Sequence, residues 1–296
     1  MLRTLAYYDI FSYPLTANEI YYNLGENHTS IEEVETILTK LSNDNIVFQK
    51  GNFYQLSNND EFIIRRNKGN QLAEKRLQTA RRVSGFISKF PFIRGIMLSG
   101  SISKGFMEED SDIDYFVVTH PNRVWFSRLV LMLFKKLFLL NSKKNFCINY
   151  FVDSENLEIH EKNVFTATEI VTLLPTYGKD CYEKFYRENL WIKDFFPNFP
   201  KRDTSEVLDR KNGVIKIFLE KLLGKRLGNK LDDLSMSIFE KFYRIRYKNY
   251  NQEEFKLAFK SSKKESKHHP KFFQKKVLTE FESKIKLVED RLNVSH

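Results

Sequence analysis

The first sixty residues place apolar side chains at helical spacing between polar ones. Short helices are expected at 3–10 and 17–24, with Ser12, Pro14 and Thr16 breaking the run and Thr16 placed as an N-cap. A third helix is expected from Ser30 to Leu41, where Ile31, Val34, Ile37, Leu38 and Leu41 recur at that period. The run 46–56, IVFQKGNFYQL, has two strand-like halves around Lys50-Gly51-Asn52, a hairpin signal. A long polar helix follows over 59–89, with an apolar stripe from Leu72 to Ile87 and Gly69 as a point of interruption. Three apolar runs, 93–99, 113–118 and 146–152, read as strands, and a helix over 122–140 lies between the second and third. This alternation implies an α+β or α/β core. Helical pattern returns at 168–174 and 179–189, with a turn at Pro175–Gly178 between them. Pro197 and Pro200 bracket a linker; 206–250 and 252–292 are mostly helical, separated by a basic polar loop at 260–271. Three parts are expected: 1–58, 59–195 and 196–296.

The chemistry concentrates in Leu98–Val118, LSGSISKGFMEEDSDIDYFVV. A strand ends in Gly100-Ser101. Glycine lets backbone amides approach a phosphate closely, and the Ser101 hydroxyl adds a donor. Residues 101–104 and those after Gly105 can present further amides, and Lys104 can set its ammonium on a phosphate. Asp112 and Asp114 stand two apart on a strand, so both point to one face. Paired carboxylates beside a phosphate cradle suit Mg²⁺ or Mn²⁺, which would orient an in-line attack on phosphorus.

Gly100-Ser101 followed by Asp112-Ile113-Asp114 resembles the signature of the DNA polymerase β nucleotidyltransferase superfamily. GSISKGFMEEDSDID is similar to its minimal nucleotidyltransferase branch. The resemblance covers 90–155. It implies transfer of a nucleoside monophosphate from an NTP to an acceptor, with Gly100 and Ser101 on the triphosphate and Asp112 and Asp114 on Mg²⁺. Three helices and a hairpin resemble the winged helix-turn-helix domains of bacterial regulators. That start, together with PNRVWFSR, INYFV, TLLPTYG and HHPKFF, resembles a bacterial group of nucleotidyltransferase-like proteins.

One position departs from the superfamily pattern. Active members usually carry a third acidic residue on a neighbouring strand; here FCINYFVD offers Asn149, a neutral oxygen ligand and a poor base. Asp153 shares its face but stands about 13 Å further along an extended strand. Three readings are open: another residue, such as Glu169, completes the site; the acceptor needs no base; or nucleotide is bound without turnover.

Charge changes the picture only at one end. The net charge is +10, yet residues 1–196 carry 24 basic and 24 acidic side chains and residues 197–296 carry 24 and 14. A basic C-terminal part points to an anionic acceptor, RNA or protein, or to a solvated helical surface. The expected third helix carries Glu32, Glu33 and Glu35 against Lys40, which argues against DNA binding through it. Two cysteines, Cys147 and Cys181, exclude a disulfide scaffold and a multi-cysteine zinc site. No signal-peptide pattern opens the chain, and Leu129–Leu140 is too short and too charged to span a bilayer, so a cytoplasmic protein is expected. Ser111 is expected to brace its loop, Glu108–Asp110 to form a solvated turn, and Tyr177 to pack in the core rather than stack on a base. Arg128 is expected to reach the phosphates, to cap a strand end or to form a structural ion pair, and His268 and His269 to meet an acidic acceptor, carry protons or lie on a basic surface.

Overall fold

The computed structural model describes the chain except residues 27–29, 139–143, 210–211, 225, 260, 268–271 and 295–296. His268, His269 and the end of the 122–140 helix therefore lie outside the described residues.

The chain opens with α1 (Leu2–Asp9), α2 (Ala17–Tyr22) and α3 (Ile31–Asn43), then a hairpin of β1 (Phe48–Lys50) and β2 (Phe53–Gln55). Thr16 and Ser30 each close a capping box, with Glu19 and Glu33 returning the bond to the cap backbone. Gly51 supplies the positive φ, +57°, of the hairpin turn. Leu5, Leu15, Ile20, Val34, Leu38 and Leu56 form the buried centre of this part.

α4 (Glu61–Ile87) runs unbroken through Gly69. Sequence alone marks that glycine as an interruption; the structure uses it for packing. A Cβ there would lie 2.2 Å from the Phe106 ring, so glycine lets the ring seat directly on the helix.

The central sheet is mixed. Its members are β3 (Ile93–Ser99), β4 (Asp114–Thr119), β5 (Cys147–Asp153), β6 (Leu174–Tyr177), β7 (Ser261–Ser262) and β8 (Glu265–Lys267), in the order β6-β3-β4-β5-β8-β7. Among these strands β4 and β5 pair in parallel and the other neighbours antiparallel. α5 (Gly100–Ser103) follows β3, α6 (Val124–Phe138) joins β4 to β5, and α7 (Val164–Thr172) and α8 (Lys179–Glu188) flank β6. Strand alternation divides the core in two. Ile96, Leu98, Tyr115 and Val117 face α4 and α6, whereas Met97, Phe116 and Val118 face α7 and α8.

Two expectations fail here. Residues 174–177 are not a turn but strand β6 beside β3, with Pro175 tolerated because the strand lies at the sheet edge. The expected basic loop at 260–271 contains the β7–β8 hairpin, which pairs with β5. Trp125 Nε1 donates to the Ser262 carbonyl at 2.7 Å and Arg128 to Ser266 Oγ at 3.1 Å, so this arginine braces a strand and does not reach the phosphate loop.

The remaining helices are α9 (Val214–Leu223), α10 (Arg226–Arg246), α11 (Gln252–Ala258) and α12 (Phe273–Val294). α10 packs on α6. α12 returns to α1: Val277, Phe281 and Val288 join the N-terminal core, and Lys284 pairs with Asp9. Among the described residues no helix is long and apolar enough to cross a membrane.

Candidate active site

The site is built where β3 and β4 end side by side. Their antiparallel register pairs Ser99 with Asp114, so the residue after β3 and the residue opening β4 meet. Gly100 adopts φ +69°, and a Cβ on it would stand 2.8 Å from Asp114 Oδ2. A side chain at position 100 would therefore suffer both the strained backbone and a collision with that carboxylate.

The loop after Gly100 folds back on itself. Ser103 Oγ donates to the Gly100 carbonyl at 2.8 Å, and Gly105, at φ +72°, turns the chain away. α4 holds this loop from outside. Asn70 Nδ2 donates to the Gly105 carbonyl at 2.6 Å, and Arg76 donates to the carbonyls of Ser111 and Glu109 at 2.9 and 3.1 Å. Ser111 Oγ accepts from the Glu108 amide at 3.0 Å, bracing the loop as its sequence position suggests. Glu108 and Glu109 are exposed and pair with Arg65 and Lys68. Ser101 and Asp112 are half-buried; β4 begins only at Asp114, so Asp112 lies in the loop before the strand and not on it as expected, and strand alternation does not set its direction.

Asp114 is the most perturbed carboxylate of the group. Burial, more than any other cause, pushes it up to about 6; the charges of Asp112 and Glu169 add to this, and hydrogen bonding to Cys147 and the Lys104 charge oppose it. Asn149 Nδ2 donates to Asp114 Oδ1 at 2.7 Å, and Asn149 Oδ1 accepts from Cys147 Sγ at 3.4 Å. The amide nitrogen of Asn149, rather than its carbonyl oxygen, thus faces the carboxylate. Lys104 Nζ bonds the Gly100 carbonyl at 3.1 Å and Glu169 Oε1 at 2.8 Å.

Gly100, Lys104, Asp112, Asp114 and Asn149 are therefore gathered in one place. Glu169 joins them from α7; its only mark in the sequence is one acid in an otherwise uncharged helix. Cys147 joins the group through its bond to Asn149, which the ladder with β4 skips at a bulge. Asp153 is excluded. It pairs with Thr119 at the far end of β5 and accepts from the Glu155 amide and Asn156 Nδ2. Tyr177 is buried in the core.

Among the described residues, no group of three or more His, Cys, Asp or Glu could hold a metal ion. The donor set still fits Mg²⁺, which often takes one or two carboxylates and fills the rest of its shell with water and substrate phosphate. Asp114 carries a carboxylate that the fold leaves under-solvated beside Asp112, a situation that a divalent cation relieves.

A fold test follows from the sign of that shift. The carboxyl titrates near 6 when folded and lower when unfolded, so its penalty is full above pH 6 and absent well below pH 4. In EDTA, Asp114→Asn is expected to stabilise the chain by about 1–2 kcal/mol at pH 8, the gain vanishing as pH falls to 4. Paired thermal melts across that range check it.

Residues 81–174 match the family model of the nucleotidyltransferase domain. The match spans α5, the loop and strands β3 to β5, and reaches the start of β6. That family typically uses a divalent metal ion and a nucleoside triphosphate. No curated protein and no solved structure matches the chain.

Proposed function

We propose that the chain transfers a nucleoside monophosphate from an NTP to an acceptor, with Gly100, Ser101, Lys104 and Gly105 on the triphosphate and Asp112 and Asp114 on Mg²⁺. The observation that carries this reading is the meeting of Gly100 and Asp114 at adjacent strand ends, within the segment that matches the nucleotidyltransferase domain. A divalent cation bound there would offset phosphate charge and polarise the α-phosphorus. Asn149 would be its neutral oxygen ligand once its amide turned over.

Lys104 is held by Glu169 in the structure. A triphosphate competes for that ammonium, and the carboxylate of Glu169 is then free to take the proton of an acceptor hydroxyl. The acceptor oxygen attacks the α-phosphorus, the bond to the β-phosphate breaks, and pyrophosphate leaves with its electron pair. The excess of basic residues after 196 favours an anionic acceptor, RNA or protein.

Residues 1–58 fit a winged-helix module ahead of a core at 59–195 and a basic region at 196–296. The antiparallel bridge of Leu15 with Tyr54 supports this, since it sets a strand-like segment between the first two helices. Glu32, Glu33 and Glu35 of α3 are exposed, which favours substrate positioning over binding of duplex DNA.

A second reading rests on Asn149: binding of nucleotide without turnover. Calorimetric titration with a non-hydrolysable NTP and Mg²⁺ tests what both readings share. Wild type is expected to bind and Lys104→Ala to bind about tenfold more weakly, the loss of one charged contact to phosphate. Absence of binding by all four nucleotides would sink both.

A further inference from the structure

α9 is inverted relative to an ordinary surface helix. Its inward positions are polar. Lys216 is buried and donates to the carbonyls of Ser88 and Ile93 at 2.9 and 2.8 Å. Glu220, one turn on, accepts from the Phe92 amide at 2.6 Å and from the two terminal nitrogens of Arg94 at 2.8 and 2.9 Å. These bonds fix the roll of the helix, and they turn Val214, Ile215 and Phe218 outward, with Val214 83% exposed.

α10 follows with a second exposed apolar stripe. One face packs on α6 through Asp232, Phe239 and their neighbours. The other carries Leu227, Leu231, Leu234, Ile238, Phe242 and Ile245 in steps of three and four residues, with Lys241 on its edge seven residues after Leu234. All but Leu231 are largely exposed, Ile245 at 76%. This is the spacing of a helix seam that pairs with another helix. The helix is about 31 Å long. Together the two helices expose on the order of 1,000 Å² of apolar side chain, against roughly 800 Å² per partner in a standard interface.

We infer that this face is the interface of a homodimer, two copies of α10 packing antiparallel across a two-fold axis near Ile238. Self-pairing suits the seam because each residue N-terminal to Ile238 meets one C-terminal to it in the second copy. Asp233 and Arg244 are turned to their own chain, to Lys263 at 2.9 Å and over the Phe255 ring at 5.3 Å, so apolar contact rather than charge carries the pairing. The α9 face of one copy then covers the far end of α10 in the other, where Phe242 and Ile245 stand exposed.

The test is the mass of the full chain in solution by sedimentation equilibrium at tens of micromolar. Wild type is expected at twice the 35.3 kDa chain mass. Leu234→Glu/Ile238→Glu is expected at the single mass with an unchanged circular dichroism spectrum. Ile238→Cys keeps the test open should the double variant misfold: a short bis-maleimide is expected to link it into chain dimers, and to leave wild type and Lys75→Cys unlinked. A monomeric wild type would overturn the inference, as would a dimer that survives both glutamates. A wild-type monomer that binds anionic vesicles through this face would overturn it too, and would assign the surface to lipid.

Discussion

Asp112→Asn and Asp114→Asn are each expected to lower nucleotidyl transfer by about a thousandfold or more, with the chain still folded. Each substitution removes one negative charge and keeps the shape. At position 114 it also keeps an oxygen to accept from Asn149 Nδ2. What is lost is the paired negative charge that would hold the divalent cation, and a cation's offset of transition-state charge is worth several kcal/mol. The check is the rate of label transfer from α-labelled NTP at saturating Mg²⁺, beside a thermal melt of each variant. Asp153→Asn is the control. That carboxylate is buried on the same strand as Asn149, yet it serves only a turn at the far end, so its loss is expected to affect stability and leave transfer at saturating substrate near wild type.

Gly100→Ala carries the second large effect. The position combines φ +69° with an approach of 2.8 Å to Asp114 Oδ2. A methyl group there costs about 1–2 kcal/mol of stability through the backbone alone. It also drives the Asp114 carboxylate out of place, and displacing a reacting geometry by an ångström costs about a hundredfold in rate. Gly51→Ala separates the two causes. Gly51 has a similar φ of +57° but nothing within 4 Å of an added Cβ. It is expected to show the stability loss and keep the activity. Equal activity losses in both variants would remove the argument from close approach.

The sequence holds the local part of this architecture. The cap at Thr16, the turn at Gly51, and strands β3 to β5 are legible because short-range pattern and residue chemistry decide them. Gly100, Asp112 and Asp114 are legible as a group because one strand end, one loop and one strand start bring them together. Elements decided by distant pairing are harder to read. β6 lies in a Pro-containing segment that becomes a strand only because β3 offers an edge, and β8 becomes one only because β5 does. Gly69 reads as a helix breaker until the Phe106 ring, far along the chain, occupies the space it leaves. Glu169 reaches the site by the packing of α7 on the sheet, for which the sequence carries no spacing signal.

The central claim is transfer of a nucleotide at Asp112 and Asp114, and pyrophosphate release tests it most directly. Wild type and Asp112→Asn/Asp114→Asn would be incubated with each of the four NTPs, Mg²⁺ or Mn²⁺, and extract of the source cells as a supply of acceptor. The account predicts release by wild type with at least one NTP, dependent on extract and absent from the double variant. Release equal in the two proteins, or none from a wild type that binds the nucleotide, would contradict it.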